Sequence, residues 1–231
     1  MKINIYQFIE GAKKAEGLAV IIDVFRAFST SAYLFANGAQ AIYTVSEVDE
    51  ARKLAEKIEN NVLVGERNGI KLAGFDYGNS PYLISKQNFK GKNIILTTSA
   101  GTKGIINAAQ AEEIITGSFV NVSAAANYIE KKDFEKISLV AMGVNAEKTA
   151  EEDMALAQYL KNKLEGKENL NQEQLRKKLY SPAGDKFFNS STQSDMPEED
   201  FNYCLNIDKF DFVIKAEKFS NEVYRLKKVN L

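Results

Sequence analysis

Apolar runs alternate with amphipathic and polar segments along about the first 165 residues of the chain. The run LAVIIDV at 18–24 has a single polar residue, Asp23, a pattern typical of a strand that is buried on both faces. Residues 47–60 instead carry apolar side chains at helical spacing. The alternation of such segments predicts an α/β fold, with three α/β/α layers around a largely parallel or mixed sheet.

The same patterns predict the individual elements and a single domain over residues 1–231. The predicted strands are residues 3–8, 18–24, 40–45, 62–64, 94–96, 112–116, 137–142, 210–215 and 223–226, and the predicted helices are 32–36, 47–60, 105–111, 121–131 and 149–164. The polar, glycine-rich residues 72–81 are expected to form a long loop. Residues at about 165–205 are expected to be a helical and loop excursion, with a mobile loop at 181–200.

The stretch KNIILTTSAGTKG at 92–104 combines a strand, a loop of small residues and the start of a helix. Free backbone N–H groups and the positive end of the helix dipole favour an anion at such a point. Thr98, Ser99, Gly101, Thr102 and Lys103 are therefore candidate ligands for a phosphate or carboxylate. The alternative is that the hydroxyl side chains only cap a helix that follows a buried strand.

Other predicted strand ends also carry charged or polar residues. In parallel α/β sheets ligands bind beyond the carboxyl ends of the strands, so Asp23 with Arg26, Glu66 with Arg67, and Ser118 are expected to share one rim. A carboxylate such as Asp23 at the end of a buried strand is costly without a partner, which favours a functional role. The alternatives are that Arg26 is only its structural partner and that Glu66 and Arg67 form a surface pair.

Two further polar groups have both a functional and a structural interpretation. Asn79 and Ser80 lie in the 72–81 loop, where they would either orient a ligand or only form a turn. Glu152 and Asp153 lie in the first turn of a predicted helix, where acidic side chains commonly interact with the helix dipole.

The composition narrows the chemistry that such a rim can perform. The chain has no histidine, which excludes Ser-His-Asp and Cys-His catalysis, phosphohistidine chemistry and His-ligated zinc. A bound metal would be a hard cation on oxygen ligands, for which Mg²⁺ is the first candidate. With 30 basic and 31 acidic side chains the formal net charge is -1, so neither nucleic acid nor an anionic membrane is an expected partner.

The cysteine count and the apolar runs indicate the compartment. The single Cys204 allows no internal disulfide, and the first residues have no apolar signal-peptide core. No apolar run approaches the roughly 20 residues of a membrane span. The sequence therefore predicts a cytoplasmic protein. Cys204 lacks the following Arg of a thiolate phosphatase and is expected to be a small buried side chain.

Six short motifs occur in an order that resembles the 2-phosphosulfolactate phosphatase family. They are IDVFRAFSTS from Ile22, GERNG from Gly65, GFDYGNSP from Gly74, TTSAGTKG from Thr97, GSFVN from Gly117 and EEDMALA from Glu151, with a weaker likeness at YCLNIDKFDFVIKA from Tyr203. The resemblance implies a magnesium-dependent phosphomonoester hydrolase with an α/β/α fold, acting on 2-phosphosulfolactate in coenzyme M biosynthesis. Its partner would be a small anionic phosphate ester, and a homodimer is the expected assembly for such an enzyme.

The resemblance, together with what phosphate-ester hydrolysis requires, assigns roles to the candidate residues. Asp23, Glu152 and Asp153 would bind Mg²⁺, and Glu66 would be a further ligand or the base for water. The phosphate and the other anionic groups of the substrate would contact Arg26, Arg67, Ser118 and the 98–103 loop, with Asn79 and Ser80 orienting the substrate. One departure is that Lys103 stands where the family commonly has Arg, and a lysine cannot make the bidentate contact of a guanidinium.

Three alternatives to hydrolysis by metal-activated water remain open. Asp23 could accept the phosphoryl group covalently, although the DxDx[TV] pattern of aspartyl-phosphate phosphatases is absent because Phe25 stands in place of the second Asp. The same phosphate cradle could serve a transferase or isomerase, which would release no inorganic phosphate. It could also belong to a non-catalytic anion-binding domain, but several carboxylates without a metal would repel the anion.

Overall fold

A computed structural model describes residues 1–231 of the protein. Its ten strands are β1 (Lys2–Gln7), β2 (Leu18–Ile22), β3 (Ala41–Thr44), β4 (Asn61–Arg67), β5 (Ile70–Lys71), β6 (Asn93–Thr97), β7 (Glu113–Gly117), β8 (Lys136–Ala141), β9 (Phe212–Lys218) and β10 (Tyr224–Asn230). Its nine α-helices are α1 (Phe8–Lys13), α2 (Ala27–Ala36), α3 (Val48–Ala55), α4 (Pro81–Ser85), α5 (Gly101–Asn107), α6 (Val122–Glu130), α7 (Glu151–Leu164), α8 (Gln172–Leu179) and α9 (Glu199–Cys204).

All ten strands belong to one mixed sheet, in the order β1-β8-β2-β7-β9-β10-β3-β6-β4-β5. The strands β1, β8, β2 and β7 form one parallel group, and β3, β6 and β4 form another. The hairpin of β9 and β10 joins the groups through antiparallel pairings, so the two groups run in opposite directions along the ladder. The predicted α/β fold with a mixed sheet is confirmed.

Helices cover both faces of the sheet, as the doubly buried strand β2 requires. Ala19 and Ile21 of β2 pack into the core with Phe28 of α2 and Ile105 of α5. Leu18, Val20 and Ile22, which point to the other face, pack with side chains of α6 and α7. A smaller core lies between α3 and the strands β3 and β6. The continuous apolar run of β2 therefore follows from burial on both faces.

Several boundaries differ from the predicted ones for local reasons. The predicted strand at 3–8 ends at Gln7, and Phe8 begins the unpredicted helix α1. The helix predicted at 47–60 ends at Ala55, and a turn leads to Asn60, which has a left-handed φ of 52°. The 72–81 loop is present and is followed by the short helix α4, which Ser80 caps by accepting a hydrogen bond from the Leu83 N–H.

The excursion at about 165–205 contains α8, α9 and two 3₁₀ turns, and its second half is anchored to the sheet. Arg26 donates hydrogen bonds to the Asp195 carbonyl and to the Asp200 carboxylate. The Lys71 N–H donates to the Asp195 side chain at 2.9 Å. These bonds attach the segment expected to be a mobile loop to the ends of β2 and β5. Among the helices, none has both the length and the apolar character needed to cross a membrane.

Candidate active site

A cavity of about 260 Å³ opens where the ends of β2, β4, β6 and β8 meet. Both parallel groups contribute strand ends to this lining, although they run in opposite directions along the ladder. The charged residues that line the cavity are Asp23, Arg26, Glu66, Glu152, Asp153 and Lys186. With all six ionised, the lining has a formal charge of -2. Of the residues expected to share one rim, Asp23, Arg26 and Glu66 line this cavity, whereas Arg67 and Ser118 do not, and the lining is acidic.

Asp23 directly follows β2 and is 8% exposed. Its Oδ1 accepts a hydrogen bond from the Ala27 N–H at 3.1 Å. Burial, with a contribution from the negative charge of Glu66, raises the pKa of Asp23 to about 6, although N–H groups and Lys186 act in the opposite direction. Asp23 is thus a carboxylate held at an energetic cost, which is a common property of groups with a functional role.

Asp153 lies in the first turn of α7 and accepts hydrogen bonds from the residues that follow β2 and β8, which are neighbouring strands. Its Oδ1 accepts the Val24 N–H and its Oδ2 accepts the Gly143 N–H, both at 2.8 Å. Burial and the nearby charges of Glu152 and Asp23 hold the pKa of Asp153 well above its usual range. Glu152, beside it, is also buried and lies 3.5 Å from the Lys186 ammonium. Asp153 therefore lies close enough to two other buried carboxylates for their charges to disfavour its ionisation.

Glu66, at the end of β4, connects the two loops on the other side of the cavity. Its Oε1 accepts the Ser99 N–H at 2.7 Å, and its Oε2 accepts the Gly69 N–H at 2.7 Å and the Ser99 hydroxyl at 3.0 Å. These three bonds fix the turn after β4 and the loop after β6. The carboxylate is thereby oriented along the cavity wall.

The loop after β6 differs from the predicted anion cradle. Ser99 and Ala100 line the cavity, whereas Thr98 and Thr102 bond to each other's backbone and lie in the protein interior. A Cβ added to Gly101 would lie 2.8 Å from Asp23 Oδ2, and the Gly101 N–H lowers the pKa of Asp23. The anion that faces the start of α5 is therefore the Asp23 carboxylate itself.

Arg26 has little capacity left for a substrate. Its guanidinium donates to Asp200 at 2.8 Å, to the Asp195 carbonyl at 2.5 Å and to the Gly69 carbonyl at 2.9 Å. The side chain is 3% exposed. These contacts favour a positioning role for Arg26, in which it holds the 195–200 segment and the turn after β4 against the cavity.

The remaining predicted residues are placed at different distances from the cavity. Arg67 donates to the Glu66 and Ser46 carbonyls and to Thr97, and it does not line the cavity. Ser80 donates to Asp200 at 2.7 Å, Ser118 donates to Asn121, and Lys103 is half-buried outside the lining. Their predicted contacts with substrate stay predictions. Arg67, Ser80 and Ser118 each have a hydrogen-bonded partner within the protein.

Asn79 does line the cavity and has no hydrogen-bonded partner for its side chain. It is 4% exposed, and its buried Oδ1 accepts no hydrogen bond. An unpaired buried amide oxygen costs free energy unless a ligand or an ion satisfies it. Because this oxygen is an acceptor, it can be satisfied by a cation or by a donor such as water, and the predicted contact of Asn79 with substrate stays a prediction.

The sequence did not identify Lys186 or Asn145 as candidate residues, and both line the cavity. Lys186 comes from a 3₁₀ turn at Asp185–Phe187 inside the excursion. Asn145 follows β8 with a left-handed φ of 54° and donates to Asn68 at 3.2 Å. Lys186 is one of many lysines, and no local pattern distinguishes it. Only the docking of the 181–200 segment brings it to the rim.

The donor types fit a hard divalent cation, for which the predicted ligands are Asp23, Glu152 and Asp153. Four carboxylates and the unpaired Asn79 oxygen are the oxygen ligands that Mg²⁺ prefers, and the charge of -2 would be offset by such an ion. No group of three acidic or cysteine side chains converges closely enough to coordinate one ion in this arrangement. The physical reason is that Glu152 turns toward Lys186 and both Asp153 oxygens accept backbone N–H groups.

Comparisons with known proteins agree with this architecture. The family model described as 2-phosphosulpholactate phosphatase matches residues 3–218. A protein from Caldanaerobacter subterraneus is 34% identical over 225 residues, covering 92% of each chain, and one from Bacillus subtilis is 31% identical, covering 94% of this chain and 95% of the relative. A protein from Carboxydothermus hydrogenoformans is 43% identical over 161 residues, covering 69% of this chain and 66% of the relative. All three are named "Probable 2-phosphosulfolactate phosphatase".

Proposed function

Because the chain belongs to the 2-phosphosulpholactate phosphatase family and is a phosphoric monoester hydrolase, we propose that it hydrolyses 2-phosphosulfolactate with a bound Mg²⁺ ion. Water attacks phosphorus, the bond between phosphorus and the ester oxygen breaks, and the products are sulfolactate and inorganic phosphate. The observation that carries the proposal is the cavity with Asp23, Glu66, Glu152 and Asp153 in its lining.

The net charge of the cavity is the argument for the cation. A phosphate ester is an anion, and a lining with a formal charge of -2 would repel it. In this proposal Asp23, Glu152 and Asp153 hold Mg²⁺, which when bound neutralises phosphate charge and increases the acidity of bound water. Glu152 would have to leave its 3.5 Å contact with Lys186 to become a ligand, and a bound ion would offset the charge of the neighbouring carboxylates.

The protein's own side chains divide the remaining tasks. Asn79 would orient the phosphate by donating from its side-chain N–H groups, while its unpaired Oδ1, an acceptor, would face the ion or a water. Glu66 accepts the Ser99 N–H, the Ser99 hydroxyl and the Gly69 N–H, and thereby fixes the loops on either side of it at the cavity. Arg26 holds the 195–200 segment against the site through its hydrogen bonds to Asp195 and Asp200.

The test is phosphate release from 2-phosphosulfolactate, 2-phospholactate and 2-phosphoglycolate by the wild type and by Asp23→Asn. We expect release by the wild type in Mg²⁺, with 2-phosphosulfolactate preferred, and a loss of at least about 100-fold in kcat/KM for Asp23→Asn. The matched control is Asp133→Asn, which changes an exposed carboxylate with no hydrogen bond or ion pair and should leave the rate unchanged. Full activity of Asp23→Asn, or no release from any of the three esters, would contradict the proposal.

A further inference from the structure

We infer that Lys186 binds an anionic group of the substrate other than the phosphate. This group is the carboxylate or the sulfonate, which stays on the product after hydrolysis. This inference rests on the proposed function, because it assigns a specificity-determining residue to the same cavity. It makes the excursion that carries Lys186 part of the substrate site.

The first argument is that Lys186 is the cation in the cavity with hydrogen-bonding capacity to spare. Arg26, the other cation of the lining, is 3% exposed and donates to three protein oxygens. Lys186 is 34% exposed, and its hydrogen bonding is limited to one long contact of 3.5 Å with Glu152. An ammonium has three donors, so at least two of them are available for an incoming anion.

The second argument is that an aromatic wall holds the ammonium at the cavity. The Lys186 Nζ lies 5.1 Å from the ring centre of Phe25 and 5.4 Å from that of Phe187. The two rings pack edge to face at 5.0 Å. Cation–π attraction and packing of the lysine stem on these rings limit the positions that the ammonium samples. The binding group is thus partly ordered before a ligand arrives, which lowers the entropic cost of binding.

The third argument is the position of Lys186 relative to the carboxylates. Lys186 lies 3.5 Å from Glu152, and both side chains line the cavity together with Asp23. If Glu152 were to hold a divalent ion, its 3.5 Å contact with Lys186 would be lost and the ammonium would be free for an anion. With the phosphate held at the carboxylate side of the cavity, an anion on the neighbouring carbon would face the Lys186 ammonium in the same lining.

The test compares substrates that differ only in their additional anions. We would measure kcat and KM of the wild type, Lys186→Met and Lys186→Arg with 2-phosphosulfolactate, 2-phospholactate and isopropyl phosphate, which has no second anion. We expect Lys186→Met to lower kcat/KM for 2-phosphosulfolactate by about 10- to 100-fold, mostly through KM, as for a charge-assisted hydrogen bond. With isopropyl phosphate, kcat/KM should change less than about twofold. Lys186→Arg should recover most of the kcat/KM that Lys186→Met loses with 2-phosphosulfolactate.

The matched control is Lys215→Met, because Lys215 is 28% exposed and pairs with the mostly buried Glu113 at 2.6 Å, outside the cavity. This variant should have the same kcat and KM as the wild type with every ester. An equal loss on all three esters with Lys186→Met would overturn the inference, because it would indicate a structural role or a phosphate contact, while the proposed function would stand.

A binding measurement separates the inference from the proposed function. Calorimetry with sulfolactate, the product that carries both additional anions, needs no turnover. Weaker binding by Lys186→Met, restored in Lys186→Arg, would support the inference even if the wild type released no phosphate. Equal binding by the wild type and Lys186→Met would overturn it.

Discussion

Replacing Asp23 by Asn should stabilise the metal-free protein at neutral pH and lose this advantage in acid. The pKa of Asp23 is raised from 3.8 to about 6, chiefly by burial. Between these values the folded protein binds more protons than the unfolded chain, so its stability falls as the pH rises. The full difference of about 2 pKa units corresponds to about 3 kcal/mol. Asn, which does not ionise, removes this pH-dependent term.

The assay is urea unfolding of the wild type and Asp23→Asn in EDTA at pH 4.5 and pH 7.5. Of the roughly 3 kcal/mol that the raised pKa of Asp23 costs the folded protein at high pH, about 2 kcal/mol develops between pH 4.5 and pH 7.5. We therefore expect the free energy of unfolding of the variant, relative to the wild type, to increase by about 2 kcal/mol from pH 4.5 to 7.5. Any constant cost of weakening the hydrogen bond from the Ala27 N–H cancels in this comparison.

The control is Asp133→Asn, whose exposed carboxylate should give no pH-dependent difference. A relative stability of Asp23→Asn that is the same at both pH values would refute the reasoning. It would mean that the Asp23 carboxylate is not held at a cost in the metal-free protein. A relative stability that falls as the pH rises would refute it more strongly, because the sign would be reversed.

Three further perturbations test other contacts of the site. Asp200→Asn removes the ion-pair partner of buried Arg26 and should lower the free energy of unfolding by about 3–5 kcal/mol; an effect below 1 kcal/mol in urea unfolding would show that the pair does not anchor the excursion. Gly101→Ala places a Cβ 2.8 Å from Asp23 Oδ2 and should cost about 1–3 kcal/mol together with most of the activity, whereas unchanged thermal unfolding would contradict the close packing. Mg²⁺ at about 100 times its Kd should stabilise the wild type by about 2.7 kcal/mol but stabilise Glu152→Gln much less, and equal stabilisation of both would exclude Glu152 as a ligand.

The sequence predicted the parts of the fold that depend on local patterns. The apolar run at 18–24 indicated a strand buried on both faces, and β2 packs its two sides into two different cores. The position of Asp23 at its end indicated a carboxylate held at a cost, and the raised pKa agrees. Both are consequences of side-chain alternation and burial, which a single segment expresses.

The sequence did not predict features that depend on contacts between distant segments. Nothing in the apolar run of β9 indicates that it pairs with β7, or that β10 pairs with β3, which is how the two parallel groups come to run in opposite directions. Lys186 reaches the cavity because Asp195 and Asp200 dock on Arg26. The prediction that Arg26 and Arg67 contact substrate requires guanidinium N–H groups that are free to donate. In the structure these groups donate to carbonyl oxygens of distant residues, which the sequence does not reveal.

The most direct test of the account is phosphate release from 2-phosphosulfolactate by one preparation of the wild type, followed in sequence with Mg²⁺, after EDTA, and after Mg²⁺ is restored. If the acidic cavity binds the ester through a divalent cation, release should stop in EDTA and return with Mg²⁺. Release at the same rate in EDTA would contradict the central claim, because the four carboxylates would then act on a phosphate ester without an ion to offset their charge.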